Sequence, residues 1–568
     1  MPILPVSEVK PGMRGEWHTV VTGTRIDSFP MEVVGVAENF IGPQRPVIIC
    51  KALDATNRLT GPVAGMSGSP VFIDGKLIGA YAYGYLYPKD QALFGVTPIE
   101  DMLEVEQDFA PASLPGKGTG LAANEGGARA RWSAGPVAEP GLPGLDTLQS
   151  TIKPLPTPLF VSGISGRVLR KFGRQLDALG LELTEAPAGR VTHDIDSDLK
   201  PGSAVSGVLM SGDFDITGTG TVTWRQGKRI LAFGHPFLQN GPIEMPMAAA
   251  EILTVVQSSQ RSFKLPNIGP IVGSIYQDRL TAIAGEIGRR CPTTHVEIHL
   301  ERAGGKERVF RGELFQHQAL SPTLSAISLL QGLGDTMEAG LEETIYLDTT
   351  LEVEGHKPIE LSEAASGESA DYTLANRQLQ MYGSLLDNPC EFPNVKSLVF
   401  HARLVDGWKS SRLESLEIDR NEARPGSTLR VVIGVRNYRG VPSTIPVSVP
   451  IPPDLTAPEV QVFVGDADAA LGMDDLPRVP PKTLDQVLDR IRRTRSHRNI
   501  CVKLLRPATG LAVEGRGLPD LPPSVVAQFA SPNSDLQQSS LSRITLWETN
   551  FPVEGTFSGH KTMPVRIE

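Results

Sequence analysis

Gly65-Met66-Ser67-Gly68-Ser69-Pro70-Val71-Phe72-Ile73-Asp74-Gly75-Lys76-Leu77-Ile78-Gly79-Ala80 is the stretch from which the chain is best read. Its second half sets two apolar runs around Asp74-Gly75, and Asp-Gly accepts the positive φ angles of a type I′ turn, so the expectation is a tight β-hairpin. Its first half crowds small residues around two serines. A serine that attacks a carbonyl sits on a sharp turn, among small neighbours, with free backbone N–H groups aimed at the developing oxyanion. Gly65 and Gly68 around Ser67 suit those needs. A Gly/Ser-rich turn without chemistry is the plain alternative.

Working outward, Met31 to Val36 and Pro46 to Cys50 are further short β-type runs between Gly and Pro punctuation, so residues 1–107 read as one β-block bearing the serine. Residues 108–157 turn to Pro, Gly and Ala, the composition of a linker or long surface excursion. A second β-block follows over 158–340, with hairpin-like segments at Gly218 to Ile230 and at Ala303 to Lys306 and a short helix expected over Met245 to Val256. Residues 341–465, with runs such as Ser427 to Val435 and Ile445 to Val449, read as an immunoglobulin-like β-sandwich. The last region, 466–568, reads as small and mixed α/β, with one helix at about 483–495. A chain of 568 residues is too long for a single core, which agrees with this multi-unit reading.

A formal charge of -10 argues against nucleic acid as a partner, because phosphate binding needs a basic surface that releases counterions. The dense basic run Arg490 to Arg495 follows Leu484, Val487 and Leu488 and, with Ile491, fits the solvated face of one amphipathic helix. Four cysteines (Cys50, Cys291, Cys390 and Cys501) show no zinc-type spacing. The glycines at Gly163-Ile164-Ser165-Gly166 lack the partners of a nucleotide fingerprint, so no cofactor is expected. His295, Glu297 and His299 alternate along one strand face; a solvated face explains them better than a metal site. No run of about 18 apolar residues occurs, and the opening MPILPVSEVKPGMRG has no signal-peptide pattern, so a soluble chain with no membrane span is expected.

A serine hydroxyl needs a base within reach. Of ten histidines, His235 in Ile230-Leu231-Ala232-Phe233-Gly234-His235-Pro236-Phe237 stands out, because an apolar strand ending in Gly-His-Pro exposes an imidazole at its end. His18, beside Trp17 in the serine block, is the alternative base.

The serine segment, continued through Phe94-Gly95-Val96-Thr97-Pro98-Ile99-Glu100-Asp101-Met102-Leu103, resembles the nucleophile region of the SpoIVB peptidase family, whose members resemble chymotrypsin-like serine peptidases. The Gly-His segment around His235, with GTGTVTW before it and Gly273-Ser274-Ile275-Tyr276-Gln277-Asp278-Arg279 after it, is similar to the segment carrying that family's base. The resemblance implies Ser67 as nucleophile, His235 as general base, and the N–H groups of Gly65 and Ser67 as oxyanion hole. It implies Asp54 as orienting acid, with Asp278, Asp213 and Asp215 as competitors. It also implies a chymotrypsin-like double β-barrel built from the two sequence blocks, and with the β-sandwich and the small α+β C-terminal unit read from the residues the expected fold is mainly β. The serine block here precedes the histidine block, the reverse of the sporulation enzymes, and no PDZ segment is evident; triads do occur in several chain orders. A protein or peptide substrate, an extracytoplasmic location and a protein partner for the C-terminal β-region complete the expectations, with a peptidase-like scaffold protein without turnover as the alternative.

Overall fold

The computed structural model describes residues 1–85, 91–108, 152–155, 157–177, 181, 183–184, 189–191, 193–258, 262–302, 305–336, 342–474, 481–513, 516–529 and 538–568. The expected linker over 108–157, like Ala303 and Gly304 of the expected hairpin, falls largely or wholly outside these residues. The protein is mainly β, and it divides into two compact units, Met1–Thr293 with Gly312–Gln316 and Thr294–Arg311 with His317–Glu568.

In the first unit, β1 (Arg14–Thr22), β2 (Arg25–Gly42) and β3 (Arg45–Ala52) are followed by the two-residue β4 (Val63–Ala64), then β5 (Ser69–Ile73), β6 (Lys76–Tyr85) and β7 (Leu93–Pro98). Six of them pair antiparallel in the order β1-β2-β3-β7-β6-β5, and β5 returns to β1 through Glu16↔Phe72 and Trp17↔Val71. The ring is closed. Closure leaves no free sheet edge, and alternate residues turn inward to fill the barrel. Trp17, Val33, Ile48, Cys50, Val71 and Phe94 form that filling, with Tyr81 and Phe94 stacked at a centroid distance of 4.3 Å. The β5–β6 hairpin turns at Asp74 (φ 49) and Gly75 (φ 73), the two positive angles expected from the sequence.

After β8 (Ile152–Pro154), β9 (Leu159–Ser162), β10 (Leu183–Thr184) and β11 (Gly189–Arg190), a second set of strands begins. These are β12 (Ala204–Gly212), β13 (Asp215–Gln226), β14 (Arg229–Ala232), β15 (Gly241–Val256), β16 (Ser262–Arg279) and β17 (Ala282–Ile287). They pair antiparallel as β12-β13-β14-β17-β16-β15, and β15 closes on β12. A second six-stranded ring results. The helix expected over Met245 to Val256 is therefore strand β15: Met247 to Ala249 pair with Val205 to Gly207 on one side while β16 pairs on the other. Two ladders of cross-strand bonds outweigh the modest helix propensity of three alanines.

In the second unit, Thr294–Arg302 runs parallel to Val395–Asp406, which pairs with Glu343–Val353 and through it with Ile359–Ser366; helices Leu320–Thr336 and Ala370–Leu386 lie in the same unit. Beyond residue 409 come a four-stranded sheet (Ser410–Ile418, Thr428–Asn437, Pro442–Pro450, Thr556–Ser558) and a six-stranded sheet. Leu416, Val431, Ile433 and Val449 of the first share one core with Val462, Ile500, Val502 and Leu504 of the second. The sandwich thus takes Ile500, Val502, Leu504, Phe557 and Val565 of its core from the last hundred residues and none of it from 341–406. Of the basic run only Arg490 and Arg492 lie on helix Leu484–Arg492, whose Leu484, Val487, Leu488 and Ile491 are buried; Arg493 is its C-cap, and Arg495 beyond it is no solvated face but pairs with Asp474 and Glu548. All four cysteines are free thiols.

Candidate active site

Helix Ala55–Thr60 leads into β4, which pairs in parallel with β16 through Val63↔Ser262 and Ala64↔Phe263. The next five residues form the serine turn, so this turn of the first barrel is seated directly on the second. Within it, Met66 N–H donates to Val63 O (3.1 Å), Gly68 N–H to Tyr81 O (2.8 Å) and Ser69 N–H to Met66 O (3.0 Å). The N–H groups of Gly65 and Ser67 have no acceptor among the described residues. The carbonyls face β13: Ser67 O accepts from Thr221 N–H (2.8 Å), Gly65 O from the Thr221 hydroxyl (3.1 Å) and Gly68 O from the Thr223 hydroxyl (2.7 Å). Gly68 has φ +95°, and a Cβ there would lie 1.9 Å from Thr221 O, so only glycine allows this approach.

The two serines of the turn differ in one decisive way. Ser69 Oγ donates to Met66 O at 2.6 Å, whereas Ser67 Oγ is buried without a hydrogen-bond partner among the described residues. A buried orphan hydroxyl costs about 1–3 kcal/mol.

His235 follows β14 across Phe233 (φ 70) and Gly234 (φ 71), two consecutive left-handed residues. A phenylalanine in that region is strained, and such strain is held only where surrounding contacts fix it. Here Phe233 N–H donates to Thr221 O (3.3 Å), Gly234 O accepts from the Thr97 hydroxyl (2.6 Å), and a Cβ on Gly234 would lie 2.8 Å from Ala80 Cβ. Thr221 therefore joins both elements, bonding Ser67 by its N–H and Phe233 by its carbonyl. The His235 Nδ1 is 2.8 Å from Pro236 O. A carbonyl only accepts, so Nδ1 carries the proton and Nε2 keeps its lone pair. Nε2, too, is buried without a partner among the described residues, so it and Ser67 Oγ are not hydrogen-bonded to each other, and burial brings the imidazole down to about 4, so the ring is neutral near pH 7.

The carboxylate expected at His235 lies elsewhere. Asp54 caps helix Ala55–Thr60, accepting from Asn57 N–H (2.8 Å) and from Asn57 Nδ2 (3.0 and 2.8 Å). The sequence that suggested an orienting acid, an aspartate upstream of the serine, is a helix N-cap. Asp278 instead acts on the loop beyond the histidine: its buried carboxylate accepts from the N–H groups of Phe237 (2.8 Å) and Leu238, and from those of Gln239 and Asn240. Desolvation still holds it above the usual carboxylate range. Asp215 accepts from Gly212 N–H (3.3 Å) in the β12–β13 turn. His18 pairs with Glu16 (3.0 Å) and packs on Phe72. His295, Glu297 and His299 do share a strand face, where His299 lies 3.3 Å from Glu297 and 2.7 Å from Glu307, and Glu297 pairs with Arg311.

The sequence reading passed over Lys264. It is fully buried on β16, next in line after the Ala64↔Phe263 pair, and the alternation Ser262-Phe263-Lys264-Leu265 carried no signal of this, since it sets the lysine on the polar face opposite two apolar side chains.

Two closed barrels, with a glycine-flanked serine turn of one lodged against strand β13 of the other, define the class: a mainly β protein in which Ser67 and the residues leading to His235 both bond Thr221. Residues 1–103 match the family model of SpoIVB peptidase S55, so the first barrel and the Ser67 turn carry the pattern of that peptidase family. Comparisons with curated proteins and with solved structures gave no match.

Proposed function

We propose that the protein is a serine endopeptidase of the SpoIVB type, hydrolysing peptide bonds through an acyl-enzyme on Ser67. What carries the reading is that an orphan hydroxyl and an orphan imidazole lone pair are buried on neighbouring segments bonded to the same residue, Thr221. His235 Nε2 takes the Ser67 proton as Oγ attacks the carbonyl carbon, and returns it to the leaving amine; water then cleaves the ester by the same route. The negative oxygen of each tetrahedral intermediate is received by the unengaged N–H groups of Gly65 and Ser67. Pro236 O does what a carboxylate does in the more familiar triads: it fixes the imidazole tautomer. No cofactor enters the scheme.

Labelling with a fluorophosphonate probe tests this. Wild-type protein is expected to label, and Ser67→Ala and His235→Ala are expected not to; labelling of Ser67→Ala at the wild-type rate contradicts the assignment. By the same kinship we propose a location outside the cytoplasm, which cell fractionation checks. None of the described helices is long and apolar enough to cross a membrane.

A further inference from the structure

Lys264 is buried beneath the serine turn with no carboxylate among its hydrogen-bond or ion-pair partners. Its Nζ donates to the Thr19 hydroxyl on β1 (2.6 Å) and to the Thr221 hydroxyl on β13 (3.3 Å). Its stem forms the floor under Gly65, where an added Cβ would meet Lys264 Cβ at 3.3 Å and Cδ at 3.4 Å. A buried amine without a counter-ion is a costly choice for packing alone, since desolvation is uncompensated and an apolar residue of equal volume does better. Burial is the sole influence on it and brings it down to about 7.

The bonds run on from the amine to the turn. Thr221, held by Nζ, donates its hydroxyl to Gly65 O and its N–H to Ser67 O. Each of these carbonyls is coplanar with the N–H of the next residue, Met66 or Gly68, so the bonds hold two peptide planes of the short turn, and the unengaged N–H groups of Gly65 and Ser67 lie one Cα before each held plane.

We propose that Lys264 is a positioning residue for the serine turn: acting through Thr221, its amine holds the peptide planes that follow Gly65 and Ser67, and so the path of the turn on which their oxyanion-binding N–H groups are carried. The proposal rests on the reading of Ser67 as nucleophile. In its ammonium form Lys264 also lends positive potential to the place where negative charge develops, in a buried setting that screens it little.

The test uses the full-length protein and two variants, Lys264→Met and Thr221→Val, with two readouts. The first is fluorophosphonate capture at Ser67, separated into reversible affinity and covalent rate. The second is amide hydrogen exchange over residues 63–70, followed by mass spectrometry. Both variants are expected to slow the covalent step at least ~10-fold, with affinity unchanged, because misdirected oxyanion donors act on the transition state. Both are also expected to quicken exchange across the turn while strands β2 and β3 exchange as in wild type. Wild-type covalent rate and wild-type exchange in Thr221→Val, which keeps the lysine and removes only the relay, overturn the proposal whether or not Lys264→Met folds. If the wild-type protein fails to react with the probe, the Ser67 reading falls, and the exchange readout alone decides whether Lys264 holds the turn.

Discussion

Two lysines, Lys264 of the first unit and Lys503 of the second, are equally hidden from solvent, and their surroundings are opposite. Lys503 Nζ meets the Asp474 carboxylate, with Glu548 at 3.6 Å, Ala470 O at 3.0 Å, and Arg495 completing the network through both acids. Lys264 has two threonine hydroxyls and, among the described residues, no ion-pair partner. The first arrangement is a satisfied internal ion network that belongs to the fold. The second retains a cost the fold does not require, and it does so under the serine turn. Buried charge alone is weak evidence of function; buried charge left unbalanced beside orphaned reactive groups is much stronger.

The contrast can be broken by exchange of each lysine for methionine. Lys503→Met leaves Asp474 and Glu548 with Arg495 alone, and is expected to lower stability by about 3 kcal/mol, since removing one member of a buried network strands the other. Fluorophosphonate capture by the variant is expected to match wild type. Lys264→Met is expected to do the reverse, keeping or raising the melting temperature while capture slows. Equal melting losses in the two variants contradict the contrast.

Alkaline pH sharpens it. The unfolded chain keeps the Lys264 proton up to about 10.5, whereas the folded protein releases it near 7. Between those values the unfolded state binds more protons, so stability contributed through this group rises with pH. Thermal melts at pH 7 and 9 are expected to show that rise in wild type and Lys503→Met, and to show a smaller one in Lys264→Met.

Acid pH probes the histidine. His235 titrates at about 4 when folded against 6.5 as reference, so the unfolded chain is protonated first. Stability from this group is present above 6.5 and is lost as pH falls from 6.5 toward 4. Capture at Ser67, by contrast, is expected to keep its neutral base to well below pH 6, and an acid limb near 6.5 in the folded protein contradicts a buried His235. Among carboxylates, Asp278→Asn is expected to slow capture severalfold by loosening the loop after His235. Asp54→Ala is expected to cost about 1 kcal/mol as a lost N-cap and to leave capture nearly intact.

Much of the frame could be read from residues alone, and the reasons are local. Asp74-Gly75 dictates its turn, and Gly68 stands in a run of small residues that a close backbone approach requires. What escaped depends on distant partners. Met245 to Val256 carries helix-forming alanines, and only barrel closure makes it a strand. Asp54 precedes Ser67 at a suggestive distance, yet the nearer Asn57 claims its oxygens. The far sheet of the sandwich is built from Glu459–Gly465, Asn499–Val513 and His560–Ile567, strands separated by helices and loops that made the tail look like a unit of its own. Lys264 shares a face with Ser262, opposite Phe263 and Leu265, as a solvated lysine would, and its burial depends on Thr19 and Thr221 from distant strands.

The central claim is that Ser67 and His235 work on one carbonyl, with the Gly65 and Ser67 N–H groups as its oxyanion site. A crystal structure of the protein after reaction with a fluorophosphonate tests it most directly. The account predicts phosphorus bonded to Ser67 Oγ, a phosphoryl oxygen about 2.7–3.1 Å from both N–H nitrogens, and His235 Nε2 within hydrogen-bond reach of the adduct. An adduct on another residue, or one on Ser67 with its oxygen turned away from both N–H groups, would contradict it.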